Sequence, residues 1–244
     1  MVVSDARTDP RVIWHDLECG AYRADLALWR DLAGARPGPV LDIGAGTGRV
    51  ALTLAPAREV TAVDSDPVLL SALEERSRDL PVHTVCADVR AFDLGRRFGL
   101  CMVPMQTVQL LGGPAGRDAF LACARRHLLP GGLLAMAIVE DLVAFGAEEG
   151  HILAPDLREL DGTVYSSRPV AVRVEGERSC LERLRETVDP HGHRRVEVDL
   201  IGLDRLGARE LRAEGAGHGL QALPSRTIAP TADHVGSEVV ILRA

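Results

Sequence analysis

Between residues 40 and 139, short apolar runs alternate with longer stretches in which apolar side chains recur every three or four positions. The runs are VLDIG at 40–44, EVTAVD at 59–64, VHTVCAD at 82–88, FGLCMVP at 98–104 and LLAMAIV at 133–139. They show little polar alternation, which is the pattern of strands buried on both faces. Between them, residues 47–55, 67–78 and 117–129 are expected as helices, with Leu69, Leu70 and Leu73 on one face of the second. Strands separated by helices specify a parallel sheet covered on both sides. Upstream, Trp14, Leu17, Ala21, Leu28 and Leu32 recur at helical spacing, so residues 12–34 are expected as one helix that Gly34 could end.

The pattern changes after residue 140. Residues 141–163 read as irregular. Three longer, more polar strands are expected at 166–174, 179–188 and 194–203, joined by turns at GE (176–177) and DPHGH (189–193). The middle one competes with helix, because ERLRE is built of good helix formers. In the first, alternating Val170, Val172 and Val174 leave an apolar face that something must cover. A helix at 205–215 and closing strands at 220–223 and 238–242 follow. The expected organisation is a single domain, 1–244: an N-terminal helical cover (1–36), a ligand-binding core (37–140), an antiparallel β-meander inserted after the fifth strand (164–204), and a closing helix with strands (205–244).

Composition narrows the partner. Net charge is −7, and no basic cluster stands out, so a nucleic-acid partner is not expected. All basic aliphatic residues are Arg; Lys and Asn do not occur, as codon bias in a GC-rich genome would produce. The five cysteines have no C-x-x-C spacing, and the histidines form no zinc set; Cys86 and Cys101 sit in apolar runs as small core residues. No apolar run reaches membrane-spanning length and the N-terminus lacks an apolar signal segment, so a cytoplasmic location without membrane partners is expected.

The chemistry concentrates where strands end. Asp42, Asp64 and Asp88 close the first three strands, and in an open parallel sheet ligands sit beyond those ends. Three carboxylates in one crevice require cations or hydroxyl and amine donors. Gly44, Gly46 and Gly48 permit a tight turn and close backbone approach to a ligand. The nicotinamide-dinucleotide fingerprint G-x-G-x-x-G is not met, since Arg49 stands where its third glycine belongs. Asp42 would also repel a pyrophosphate. A ligand bearing ammonium and sulfonium groups suits these acids better.

VLDIGAGTG, EVTAVDSDP, VCADVRAF and LLPGGLLAMAI together resemble the class I S-adenosylmethionine (SAM)-dependent methyltransferases, over residues 38–139 and more weakly at the C-terminus. The resemblance implies a Rossmann-like α/β fold. Its sheet has seven strands, mostly parallel, with helices on both faces and a last strand, 238–242, antiparallel to the rest. It also implies SAM as cofactor: Asp42, Gly44, Ala45 and Gly46 around the methionine part, Asp64 with Ser65 at the ribose, Asp88 with Val89 at the adenine.

VPMQTVQLL (103–111) resembles the Asn-Ser-Leu-x-His-Leu segment of small-molecule methyltransferases, with Gln106 in the Asn place and Leu110 in the His place. No histidine base is expected there. Gln106 and Gln109 are candidates for orienting cofactor or substrate, and Tyr22 for covering the cofactor. Trp14, Glu140, Asp141 and Arg168 are candidates for binding the acceptor. The expected activity is methyl transfer to N or O of a small molecule. A non-catalytic SAM-binding partner is the alternative, and an NAD-type oxidoreductase a weaker one. The meander, with Arg168, Arg183 and Arg185, is expected either to cover the substrate or to form a homodimer surface.

Overall fold

A computed structural model describes residues 9–140, 142–146, 154–232 and 234–244. The N-terminal segment is not one helix. It runs as α1 (Pro10–His15), a π-helical turn (Asp16–Gly20), a break, and α2 (Leu26–Gly34). The alternating block then gives β1 (Val40–Ile43), α3 (Ala51–Leu54), β2 (Val60–Asp64), α4 (Pro67–Arg76), β3 (Val82–Cys86), β4 (Phe98–Val103), a 3-10 turn (Thr107–Leu110), α5 (Pro114–Arg126) and β5 (Leu128–Ile138). β5 starts earlier than the apolar run implies. The PGG sequence is absorbed as an irregularity against β4, and Gly131 and Gly132 bond to the chain end at Ala244.

A second, four-stranded antiparallel sheet follows: β6 (Asp156–Leu160), β7 (Thr163–Glu175), β8 (Arg178–Val188) and β9 (Arg194–Asp204). It has one strand more than expected, because β6 falls in the stretch read as irregular. β8 is a strand despite its helix formers, since β7 and β9 pair with it along both edges. Then come α6 (Ala208–Gly217), β10 (Gln221–Ile228) and β11 (Ser237–Arg243).

The main sheet has the order β10-β11-β5-β4-β1-β2-β3. Its first five strands are parallel, and β11 lies antiparallel between β5 and β10. The inner strands are buried on both faces, as their unbroken apolar runs require, while the edge strands β3 and β10 are partly exposed, Cys86 among them. Leu41 and Ile43 join a core with Phe120 and Leu121 of α5 and Leu211 of α6. Val40 joins the opposite core with Trp29 of α2 and Leu54 of α3. Alternation along β1 therefore turns Asp42 toward the α2–α3 side, into a position with no access to water. Strand order reverses between β1 and β4, so a crevice opens at their carboxyl ends. No helix among the described residues is long and apolar enough to cross a membrane.

Candidate functional site

A cavity of about 670 Å³ occupies that crevice. Its floor is the glycine loop after β1 and the ends of β2, β3 and β4. The N-terminal segment and the inner face of the second sheet form its cover. Tyr22, Asp42, Gly44, Ala45, Asp64, Ser65, Asp88, Val89 and Gln106 all line it. Nine of the residues proposed from sequence for the cofactor thus meet in one space, and Gly46 lies within the loop that forms its floor.

Asp42 is 1% exposed, and neither carboxylate oxygen has a hydrogen-bond partner. Burial pushes its pKa up to about 7, against smaller opposing effects of the Arg49 charge and the Ala51 amide. That amide falls short of full hydrogen-bond geometry, since both oxygens remain unsatisfied. A buried orphan carboxylate is costly unless a donor or a cation meets it.

The loop's amides are already engaged. Gly44 and Ala45 donate to the Val63 carbonyl at 2.8 and 3.1 Å, and Gly46 donates to Asp64 Oδ2 at 2.8 Å. These three amides are therefore not free to meet an anion. The glycines serve steric needs instead. At Gly46, with φ +53°, a Cβ would lie 2.2 Å from His15 Nε2; at Gly44, with φ +73°, it would lie 2.5 Å from Thr107 Cγ2. Asp64 Oδ1 also accepts from the Asp66 amide at 3.0 Å, so its carboxylate is fixed before any ligand arrives. Asp88 is more open. Arg90 grips it at 2.6 and 2.9 Å, and these hydrogen bonds hold its pKa down to about 2.

Several contacts at the site were not legible in the sequence. Arg49, singled out there only as a departure from the dinucleotide fingerprint, forms a buried two-pronged ion pair with Asp25 at 2.6 and 2.7 Å. It also donates to the Tyr22 carbonyl at 3.0 Å, and its guanidinium lies 5.2 Å from the centre of the Tyr22 ring. Tyr22 is buried, with no partner for its hydroxyl, and its ring meets that of His234 at 4.8 Å. His15 lines the cavity beside the loop, 3.2 Å from the Thr47 hydroxyl; burial lowers its pKa.

The π-helical turn ties loop and cover together. Asp16 takes Thr47 at 2.8 Å and Arg76 at 2.6 Å. Glu18 accepts from Nε and Nη2 of Arg185, each at 2.7 Å, and from the Ser167 hydroxyl at 2.7 Å. Burial alone would raise the Glu18 pKa, but these hydrogen bonds hold it below the ordinary range.

Other residues proposed from sequence lie elsewhere. Gln109 is buried, with its amide committed to backbone: it bonds Val139 in both directions and donates to the Asp204 carbonyl at 2.9 Å. It joins the end of β5 to the end of β9 and has no group left for a substrate. Trp14 is a core anchor between the Tyr165 ring at 5.5 Å and the Arg185 guanidinium at 5.4 Å. Glu140 accepts the Ala208 amide and so caps α6. Arg168 pairs with Leu184 across β7 and β8 and borders a small surface hollow outside the cavity. Asp141 lies outside the described residues. No group of potential metal ligands occurs among the described residues.

A family described as a methyltransferase domain matches residues 40–132, from β1 into β5. The chain has the methyltransferase fold. A malonyl-(acyl-carrier protein) O-methyltransferase from Anoxybacillus flavithermus (strain DSM 21510 / WK1) is 34% identical over 94 residues, 37% of this chain and 36% of that protein. The chain thus spans about a third of the length of that curated relative. The methyltransferase fold extends further. The SAM-bound structure of CalS10, an amino pentose methyltransferase from Micromonospora echinaspora, superposes with a TM-score of 0.67 and 22% identity, covering 98% of this chain and 94% of the other. The sugar N-methyltransferase KedS8 from Streptoalloteichus sp ATCC 53650 gives 0.70 and 22%, covering 100% and 97%.

The methyltransferase family uses SAM, and the residues present fit that group. The orphan Asp42 suits a ligand carrying positive charge, Gly44 and Ala45 of the glycine loop line the cavity beside it, and Asp64 presents a pre-set acceptor for hydroxyls.

Proposed function

We propose that the methyltransferase domain transfers the SAM methyl group to a nitrogen or oxygen of a small molecule. The observation that carries this reading is the buried, unpartnered Asp42 carboxylate in the wall of the cavity that Asp64 and Asp88 also line. When bound, SAM supplies an activated methyl on a positively charged sulfur. Asp42, with Gly44, Ala45 and Gly46, would hold the amino-acid part, Asp64 and Ser65 the ribose, and Asp88 with Val89 the adenine. Tyr22 and Gln106 line the same space. The second sheet shields it from water, and alignment with exclusion of water is the main requirement of a direct displacement.

Calorimetric titration with SAM and S-adenosylhomocysteine tests this. Binding is expected, and Asp64→Ala is expected to weaken it by about 1.5–3 kcal/mol, the scale of hydrogen bonds involving a charged group. No heat with either nucleoside, or unchanged affinity in the variant, would remove the assignment. One observation favours binding without turnover: the 3-10 turn offers apolar Leu110 and Leu111 to the cavity, with Gln106 just before it. Methylation of any member of an acceptor panel separates the two readings.

A further inference from the structure

We propose that His234 takes the acceptor's proton and that the acceptor is an apolar molecule bearing a hydroxyl group, with phenols as the simplest case. This rests on the methyl-transfer reading above and adds the acceptor class and the base.

The topology places His234. β11 runs antiparallel beside β5, with Glu238 opposite Ile138, so the chain entering β11 passes over the carboxyl ends of the parallel strands. His234, Val235 and Ser237 consequently line the cavity on the side of β4 and β5. The His234 ring is held against Tyr22, its backbone amide donates to the Thr231 hydroxyl at 3.0 Å, and its Nδ1 lies 3.5 Å from that oxygen. Among the described residues, His15 is the other histidine on the cavity, and it is wedged against Gly46 and Thr47 at the glycine loop.

The wall facing this region is apolar. Phe145, Val172, Leu181, Ile201 and Leu203 come from the second sheet and the segment paired to it. The wall's charged pair is self-contained: Arg183 donates to Asp156 at 2.7 Å and to Ser167 at 2.9 Å and lies 3.4 Å from Glu18, which Arg185 also holds. No unpaired carboxylate from the described residues stands there to receive an ammonium. Methylating an amine leaves charge on nitrogen until a proton departs, which such a wall disfavours. Methylating a hydroxyl with proton removal gives a neutral ether. In that step the acceptor O–H proton passes to the unprotonated His234 nitrogen, and an oxygen electron pair forms the new O–CH₃ bond. The C–S bond breaks with its pair returning to sulfur, which becomes a neutral thioether. The positive charge finishes on the half-buried imidazole, from which water carries the proton away.

The probes are 4-methylphenol, 4-nitrophenol and benzylamine, with protein loaded with S-adenosylhomocysteine for binding and with SAM for turnover. Expected results are calorimetric binding of 4-methylphenol but not benzylamine, and a shift by 4-methylphenol of the imidazole NMR signal that His234→Ala deletes. His234→Ala and His234→Gln should keep wild-type SAM affinity yet lose at least about 10²-fold in turnover of 4-methylphenol. The loss should be much smaller for 4-nitrophenol, which is largely ionised at pH 8. Benzylamine binding and methylation without phenol turnover would overturn the proposal. So would no binding of 4-methylphenol, binding that leaves the His234 signal unmoved, or equal losses for the two phenols. Failure of the wild-type chain to bind SAM sinks the underlying reading as well, and is told apart by the SAM titration alone.

Discussion

At the scale of single residues, Asp42 is the most consequential group in the molecule. Its native pKa of about 7 lies far above the unfolded value of 3.8. Between roughly pH 4 and pH 7 the folded chain therefore holds a proton that the unfolded chain has released. The sign follows: stability falls as pH rises through that window, by on the order of 4 kcal/mol in total from this group. Asp42→Asn should flatten that slope in urea unfolding measured across pH. Ligand binding should show the reverse preference. A positively charged ligand favours the ionised carboxylate, so SAM binding near pH 6 should release a proton, visible as a dependence of calorimetric heat on the buffer's ionisation enthalpy. A pH-independent stability, or no proton release, would mean that Asp42 is ionised in the free protein. The sequence announced this residue because an acid ending an apolar run is conspicuous. It could not announce the contacts of His234, Arg49 or Glu18 with Tyr22, Asp25 and Arg185, which lie far away in the chain.

At the scale of elements, the N-terminal segment deviates most from its hydrophobic periodicity. One continuous helix was expected, and the chain instead breaks after Gly20 and restarts at Leu26. Polar contacts invisible to periodicity explain the break. Asp25 accepts the Arg49 guanidinium and the Trp29 indole at 2.8 Å, which fixes the start of α2 against the glycine loop. Asp25→Asn would leave Arg49 charged, buried and without its carboxylate, and should cost about 3–5 kcal/mol in urea unfolding. A loss below about 1 kcal/mol would show that the pair only rides on a helix held by apolar packing. The meander shows a related lesson. Val170, Val172 and Val174 alternate in sequence, yet a register shift between Pro169 and Ala171 breaks the alternation. Pro169 and Val172, of opposite parity, both reach the cavity, while Val174 is left exposed. Sequence gives the period of a strand, but a bulge that resets its phase depends on the neighbouring strand.

For the whole molecule, the parallel sheet was legible because its inner strands are runs too apolar to belong anywhere but a two-sided interior, whereas the antiparallel last strand was implied only by the resemblance to methyltransferases. β6 was not, since its alternating pattern is short and its partner lies across a turn. The acceptor side of the cavity was opaque for a different reason: it is assembled from the β10–β11 connection and a sheet inserted elsewhere in the chain, and no local signal joins them. The glycine loop shows how firmly this architecture fixes its cofactor. Its first three amides are tied to β2 and to Asp64, so removing the repulsive charge at position 42 would not make a phosphate cradle. Asp42→Gly, which removes the charge that would repel a pyrophosphate, should therefore lose SAM without gaining NADH, as fluorescence titration would reveal. Converting this scaffold to hydride chemistry would require rebuilding how its first two strands are stitched together.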